Sequence, residues 1–202
     1  MSQPKIIKVV LLGSSGVGKS SILHRYITDE WDENAQTTLG AAFMDKKVTY
    51  EGIQFKFQIW DTAGQEKYAP LAQMYYRDAN VAILVYDITN RDSLANLKDW
   101  QRELSDKGPK DITVAIVGNK CDLERSHDSL NAEGEKYARE SHALYAKTSA
   151  KQNVGIKELF DSLCAQLIKK MNLKVPESND SRTKLAATPQ ANTGQESKGC
   201  CG

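Results

Sequence analysis

The sequence predicts an α/β fold in which a doubly wound, six-stranded, mostly parallel sheet carries helices on both faces. Short apolar runs typical of buried strands alternate along the chain with segments whose apolar residues recur at helical spacing. The runs at residues 81–86 and 112–117 are apolar at almost every position, which indicates central parallel strands. The chain has 202 residues, of which 40% are hydrophobic and 26% charged, so one domain with a substantial core is expected.

The elements follow one another in a regular alternation. Strands are predicted where β-branched and aliphatic residues cluster, at residues 5–12, 42–50, 53–60, 81–86, 112–117 and 143–146. Helices are predicted where apolar residues share one helical face, at 19–28, 69–78, 93–107, 131–141 and 155–171. Gly134 lies inside the fourth helix and is expected to weaken it.

A change of composition marks the end of the predicted domain, which is expected to span residues 1–172. From residue 173 onward Pro, Ser, Asn, Thr, Gln and Gly dominate, so residues 173–202 are predicted to form a disordered tail.

The second and third strands are separated by Glu51-Gly52 alone, which predicts a hairpin with a two-residue turn. The predicted sheet includes one antiparallel edge strand. The turn also predicts the register, which places Phe43 opposite Trp60 on the otherwise polar face. Two interpretations remain open for this aromatic pair: a neighbouring loop covers it, or it binds a partner.

The first strand leads directly into GSSGVGKS at residues 13–20, the pattern of a phosphate-binding loop. Its glycines allow the backbone N–H groups to surround a polyphosphate, and Lys19 can reach the outer phosphates. The Ser20 hydroxyl is placed to bind Mg²⁺. A glycine-rich turn that matches by chance is the alternative. The residues expected to contact the phosphates and their metal are Ser14, Ser15, Gly16, Val17, Gly18, Lys19, Ser20 and Ser21.

Three further motifs follow strands at the same predicted edge, where doubly wound sheets bind ligands. The first begins with Asp61, whose carboxylate can hold Mg²⁺ opposite the phosphate-binding loop. Gly64 lacks a side chain, so its backbone N–H can approach a terminal phosphate.

The second motif is Asn119-Lys120-Cys121-Asp122, and it predicts guanine as the base. Asp122 offers two carboxylate oxygens to the ring N–H and exocyclic amine of guanine, and adenine has neither donor there. Asn119 can bond a ring nitrogen, and the Lys120 stem can cover one face of the base. A turn rich in Asn and Asp is the alternative. The third motif is Thr148-Ser149-Ala150-Lys151, after the last strand.

Together these motifs resemble the Rab branch of the Ras-like small GTPases. The resemblance runs from about residue 5 to residue 171 and rests on residues 13–20, 38–40, 60–66, 119–122 and 148–151. Residues 38–43 and 86–90 most resemble the early-endosomal subgroup of Rabs.

The resemblance implies roles for particular residues. Thr38 is expected to join Mg²⁺ and the γ-phosphate, and Gln65 to orient the attacking water, so Gln65, Lys19 and Thr38 are the expected catalytic residues. Trp31 is expected to pack on guanine, although phenylalanine is usual at that position. Ser149, Ala150 and Lys151 are expected to complete the nucleotide site, and Phe43, Trp60 and Tyr75 to form an effector surface.

Two substitutions depart from the pattern of many Ras-like proteins. Ser15 stands where many of them have glycine and is expected to slow hydrolysis. Lys147 replaces the usual glutamate, and we have no functional account of it.

Two adjacent cysteines, Cys200 and Cys201, lie close to the end of the given sequence. The four-residue prenylation box does not match, because residue 199 is glycine. A disulfide or incidental thiols are the alternatives. The pair resembles the double-cysteine terminus of Rabs, which implies geranylgeranyl groups on both residues, and two lipids suffice for stable anchoring.

The sequence therefore predicts a small GTPase switch that hydrolyses GTP to GDP, slowly when unaided, and recruits effectors in vesicular traffic. The expected partners are guanine nucleotide, Mg²⁺, an exchange factor, a GTPase-activating protein, effectors and a prenyl-binding escort protein. The expected location is the cytosol and the cytoplasmic face of endosomal membranes. A net charge of +1 gives no reason to expect nucleic-acid binding, and a monomer is expected.

Two other functions remain open at this point. One is a GTP-binding scaffold with negligible hydrolysis, against which Gln65 argues. The other is a P-loop phosphotransferase that uses ATP, against which Asp122 argues.

Overall fold

Among the residues that the structure describes, six strands form a single sheet: β1 (Lys5–Leu12), β2 (Ala41–Tyr50), β3 (Ile53–Thr62), β4 (Val81–Asp87), β5 (Thr113–Asn119) and β6 (Leu144–Lys147). Their order in the sheet is β2-β3-β1-β4-β5-β6. The computed structural model describes residues 3–33, 37–38, 40–64, 69–123 and 130–176, with the backbone alone at 69–72. Strand β2 runs antiparallel at one edge, and the other five strands are parallel, which confirms the predicted fold class.

Helices cover both faces of this sheet, as predicted. They are α1 (Lys19–Thr28), α2 (Ala69–Tyr76), α3 (Arg91–Lys107), α4 (Leu130–Glu140) and α5 (Ile156–Lys170). Helices α1 and α5 pack on one face, and α2, α3 and α4 pack on the other. Within the described part of the chain, none of the helices has the length and apolar character needed to cross a membrane.

Strand β1 illustrates why the sheet is buried on both sides. Val9 and Leu11 belong to the core beneath α1 and α5, whereas Val10 and Leu12 belong to the core on the opposite face. All four side chains have no exposed surface, which is the pattern expected of a central parallel strand. Helix α5 completes the first core with a stripe of Leu159, Phe160, Leu163, Leu167 and Ile168.

The hairpin has the register that its two-residue turn predicts. Phe43 pairs with Trp60, and Tyr50 pairs with Ile53. Glu51 and Gly52 have φ values of 47° and 74°, and two positive φ angles are what a type I′ hairpin turn requires.

Several element ends differ from the sequence-based prediction by one or two residues, and two of these differences matter for the site. Strand β3 continues past Trp60, because Asp61 pairs with Leu11 of β1 and Ala42 of β2. Strand β5 likewise continues to Asn119, which pairs with Asp87. Both polar residues were expected in loops after their strands. They are instead held by the ladder hydrogen bonds of the sheet.

Another difference lies at the start of α3, which was expected at residue 93 but begins at Arg91. The side chain of Asn90 accepts hydrogen bonds from the backbone N–H groups of Asp92 and Ser93 and caps the helix.

Gly134 has a packing role that the sequence did not reveal. A Cβ atom added there would lie 2.1 Å from the hydroxyl oxygen of Tyr86, so glycine leaves room for the Tyr86 ring beneath α4. The fully buried Tyr86 side chain fills the space that any other residue at position 134 would need.

After α5 the chain continues along the protein as far as Pro176. Leu173 packs against the core beneath α1 and α5, and Pro176 lies beside Gly52 at the hairpin turn. Residues 177–202, and with them Cys200 and Cys201, lie outside the described residues.

Candidate functional site

A cavity of about 390 Å³ lies at the carboxyl ends of the parallel strands, and all four sequence motifs contribute to it. Asp32, Glu33, Thr37, Thr62 and Leu123 also line it, and the sequence had not singled them out as site residues. The predicted residues that line it are Ser15, Gly16, Gly18, Lys19, Ser20, Ser21, Trp31, Thr38, Gly64, Asn119, Lys120, Asp122, Ala150 and Lys151.

Four predicted residues lie behind the wall of this cavity. Ser14 and Val17 contribute backbone carbonyls that hold Lys19 and Asn119, respectively. Asp61 accepts a hydrogen bond from Ser20, and Ser149 donates one to Asp122; both of these partners line the cavity. Gln65 lies outside the described residues.

Lys19 is folded back onto its own loop. Its Nζ donates hydrogen bonds to the carbonyl oxygens of Gly13 and Ser14, both at 2.9 Å. Burial lowers the pKa of Lys19 to about 8, although the negative charge of Asp61 acts in the opposite direction. The negative charge near the buried ammonium group therefore compensates its positive charge only in part, and a phosphate group would complete the compensation.

The loop before Lys19 packs tightly on strand β5. Gly18 has a φ of 97°, and a Cβ atom there would lie 2.3 Å from the amide nitrogen of Asn119. Glycine is required at this position on both grounds, because the backbone is left-handed and the amide occupies the space.

Three side-chain oxygen atoms converge next to Lys19. The Ser20 Oγ lies 2.5 Å from both the Thr38 Oγ1 and the Asp61 Oδ2, and Thr38 donates to the same Asp61 oxygen at 3.2 Å. The other carboxylate oxygen of Asp61, Oδ1, is buried and has no hydrogen-bond partner in the part of the chain that the structure describes.

Burial raises the pKa of Asp61, and the hydrogen bond from Ser20 and the charge of Lys19 offset this only partly. Lys19 compensates the buried Asp61 carboxylate only in part, so a further positive charge beside its unpaired Oδ1 would stabilise it. Hydroxyl and carboxylate oxygens are the ligands that Mg²⁺ prefers, so these three residues fit that ion.

Gly64 lies directly against the phosphate-binding loop. A Cβ atom at this position would lie 2.4 Å or less from backbone atoms of Ser14 and Ser15. The close contact requires glycine and brings the backbone of residue 64 to the phosphate end of the cavity.

The opposite end of the cavity is organised around Asp122. Its Oδ1 accepts a hydrogen bond from the Ser149 hydroxyl at 2.6 Å, and the hydroxyl oxygen accepts one from the backbone N–H of Gln152 at 3.0 Å. Since a carboxylate has about four acceptor sites, Asp122 can still accept two N–H donors from a ligand.

Asn119 connects the two ends of the cavity, a role that the sequence did not indicate. Its amide nitrogen donates to the Val17 carbonyl at 2.9 Å, and its oxygen accepts from the Thr148 hydroxyl at 3.0 Å. The amide nitrogen has a second hydrogen for a ligand.

Lys120 is held in place by Asp87, a residue that the sequence analysis missed. The Lys120 Nζ lies 2.7 Å from the Asp87 Oδ2, and the backbone of Lys120 has a φ of 67°. Burial raises the pKa of Asp87, but hydrogen bonds from Lys120 and Thr89 outweigh it and lower the pKa below its ordinary value. Asp87 ends β4 at the ligand-binding edge, so its position in the sequence carried a usable signal.

The aromatic residues of the hairpin and α2 form one continuous surface. The ring centroids of Phe43 and Trp60 are 5.0 Å apart, and those of Trp60 and Tyr75 are 5.2 Å apart. Phe43 is 48% exposed, so the described residues do not cover it. Of the two interpretations left open for the aromatic pair, the exposed surface favours partner binding.

Comparison with known proteins gives a consistent result. The family model described as "Ras family" matches residues 8–169. The chain is 50% identical over 154 residues to "Ras-related protein Rab-22A" of Mus musculus, covering 76% of this chain and 79% of that protein. It is 43% identical over 195 residues to "Ras-related protein Rab-31" of Homo sapiens, covering 96% and 97%. With "Ras-related protein Rab-21" of Rattus norvegicus it shares 41% identity over 204 residues, covering 96% and 91%.

Proposed function

Because the chain belongs to the Rab branch of the Ras family, we propose that the cavity at the carboxyl ends of its strands is the site where GTP binds and is cleaved. As a Rab GTPase the protein hydrolyses GTP to GDP, regulates membrane traffic, and acts with exchange factors, GTPase-activating proteins and effectors. The observation that carries the proposal is the convergence on one cavity of three features: Lys19, the side-chain oxygens of Ser20, Thr38 and Asp61, and Asp122.

The base end of the cavity explains the choice of guanine. Asp122 accepts the ring N–H and the exocyclic amine, while Ser149 fixes the orientation of the carboxylate. ATP would leave the carboxylate without these two donors, a penalty that corresponds to a discrimination of roughly 10⁴. Trp31 and Lys120 line the cavity and supply apolar surface for the base.

The phosphate end holds the triphosphate and its metal. Ser20, Thr38 and Asp61 would hold Mg²⁺, and Lys19 would exchange its two carbonyl partners for phosphate oxygens. When bound, Mg²⁺ supplies positive charge beside the phosphate oxygens. The backbone N–H of Gly64 lies at this end, where it can donate to the γ-phosphate.

Hydrolysis requires a water molecule aligned with the γ-phosphate, and Gln65 is the residue we assign to orient it. Gln65 directly follows Gly64 in the chain. Among the described residues, the cavity lining contains no arginine that could stabilise the charge of the transition state. Unaided hydrolysis is therefore slow, and an activating protein supplies the missing cation.

We expect the Gln65→Leu variant to hydrolyse bound GTP about 10²-fold more slowly than the wild type, because leucine cannot orient water. Phosphate release after a single loading with GTP measures the rate. Gln54→Leu is the matched control, since it makes the same substitution at an exposed position of the hairpin. Equal rates for Gln65→Leu and the wild type would contradict the role assigned to Gln65.

The aromatic surface of Phe43, Trp60 and Tyr75 is the proposed effector-binding site. Trp60 immediately precedes Asp61, and Phe43 and Tyr75 follow the segments that contain Thr38 and Gly64. Contacts of Thr38 and Gly64 with the γ-phosphate therefore order the chain on both sides of the aromatic surface. Loss of that phosphate releases these contacts and with them the effector.

We also propose that residues 1–172 are the GTPase domain and residues 173–202 a tether. Lipids on Cys200 and Cys201 would attach the protein to membranes, and a prenyl-binding escort protein would carry it between them. Endosomal membranes are the proposed compartment, because residues 38–43 and 86–90 resemble those of early-endosomal Rabs.

A further inference from the structure

Within the described residues, Arg25 in helix α1 makes three hydrogen bonds, all to backbone carbonyl groups. Its Nε donates to the Ala150 oxygen at 2.9 Å, its Nη2 to the Lys151 oxygen at 3.1 Å, and its Nη1 to the Asp29 oxygen at 2.6 Å. Two of these acceptors lie about 125 positions further along the chain, in the loop at the base end of the nucleotide cavity.

The first consequence concerns the peptide unit between Ala150 and Lys151. Since the peptide bond is trans, the Lys151 N–H lies opposite to the Ala150 carbonyl that Arg25 holds. Within the described part of the chain, neither the Ala150 N–H nor the Lys151 N–H has a protein acceptor. Both residues line the nucleotide cavity, and Arg25 fixes one of these donors, the Lys151 N–H, from behind, where a base oxygen can use it.

The second consequence reaches Asp122 through the next peptide unit. Arg25 holds the Lys151 carbonyl, and the N–H of the same peptide, on Gln152, donates to the Ser149 hydroxyl. That hydroxyl donates in turn to the Asp122 carboxylate. A continuous set of hydrogen bonds therefore connects Arg25 to the residue that selects guanine.

The third bond of Arg25, to the Asp29 carbonyl, lies at the end of α1. Asp29 directly follows α1 as its C-cap with a φ of 63°, and its carboxylate accepts a hydrogen bond from the Asn153 amide at 2.6 Å. Trp31, which lines the cavity, follows Asp29 by two positions. The end of α1 and the loop at residues 149–153 are thus joined around the base.

Arg25 acts from outside the nucleotide site, because it lines a different cavity, of about 640 Å³, between α1, β2 and α5. The planar guanidinium group suits this task, since it presents several donors in a fixed arrangement to separate carbonyl groups. A lysine has one nitrogen and cannot reproduce the three bonds together.

We propose that Arg25 is a positioning residue for guanine, which slows nucleotide release by holding the loop at 149–151 and the end of α1 together. The inference rests on the proposed function, because it requires guanine in the cavity. It identifies an element of affinity and base selectivity that makes no contact with the nucleotide.

The test compares the release of two fluorescently labelled nucleotides, GDP and inosine diphosphate, from the full chain with Mg²⁺ present. Inosine lacks the exocyclic amine of guanine and so loses one of the two bonds to Asp122. We expect Arg25→Ala to release GDP roughly ten-fold faster than the wild type. Arg25→Lys should lie between the two. We expect the preference for GDP over inosine diphosphate to narrow in Arg25→Ala, because Asp122 is less well held.

Arg139→Ala is the matched control, since it removes an exposed arginine of α4 whose ion pair with Glu135 lies within the helix. It should release both nucleotides at the wild-type rates. Unchanged release from Arg25→Ala would overturn the inference. Equal acceleration of both nucleotides, with the preference preserved, would also overturn it, because general destabilisation has that effect. A wild-type protein that binds no guanine nucleotide would instead refute the proposed function.

Discussion

Replacing Asp122 by asparagine will lower the affinity for GTP by at least about 10²-fold and increase the affinity for xanthosine triphosphate. An amide presents one acceptor and one donor where the carboxylate presents two acceptors, so the exocyclic amine of guanine meets an N–H group. Xanthine carries an oxygen at that place and accepts the same N–H. The Ser149 hydroxyl can keep its bond to the Oδ1 position, which preserves the orientation of the side chain.

Competition of GTP and xanthosine triphosphate against a fluorescent guanine nucleotide measures both affinities. Asp106→Asn makes the same substitution at an exposed site of α3 and should leave both unchanged. An Asp122→Asn variant that binds GTP as the wild type does, or that gains nothing for xanthosine triphosphate, would refute guanine recognition by Asp122.

The second large effect is expected at the proposed metal site. Replacing Ser20 by asparagine will weaken Mg²⁺ binding by at least about ten-fold and lower the fraction of protein that carries GTP in cells. The Ser20 hydroxyl lies 2.5 Å from oxygens of both Thr38 and Asp61, and the longer amide cannot occupy that space. Removal of Ser20 also takes a hydrogen bond from the buried Asp61 carboxylate.

Dissociation of fluorescent GDP at increasing Mg²⁺ concentrations measures the metal dependence. The wild type should release GDP much faster when Mg²⁺ is chelated, whereas Ser20→Asn should respond weakly. Ser105→Asn, at an exposed position of α3, serves as the control and should behave as the wild type does. A normal Mg²⁺ response in Ser20→Asn would show that the metal is held elsewhere.

Local patterns in the sequence were sufficient to predict much of the fold. The hairpin register follows from the length of its turn, because two residues leave few ways to pair the strands. The inward stripe of α5 follows from helical spacing. Asp61 and Asn119 were recognised from their motifs, although both lie within strands rather than after them. The ends of β3 and β5 depend on neighbouring strands, which a local pattern does not specify.

The residues that were missed act through tertiary contacts. Arg25 lies in an amphipathic helix and bonds to backbone carbonyls about 125 positions away, which leave no mark on the sequence. The packing role of Gly134 in α4 depends on the side chain of Tyr86 in β4. The Asn90 cap and the position of Asp87 at a strand end did carry local signals, and a search for them would have found both.

The central claim is that the protein binds guanine nucleotide and hydrolyses GTP, and the nucleotide itself tests it most directly. The purified full chain is denatured, and the released nucleotide is identified by chromatography. A second sample is loaded with GTP and Mg²⁺, and the bound nucleotide is analysed over time. We expect guanine nucleotide in the first sample and slow, complete conversion of GTP to GDP in the second. Bound adenine nucleotide, an empty protein, or GTP that persists without conversion would contradict the claim.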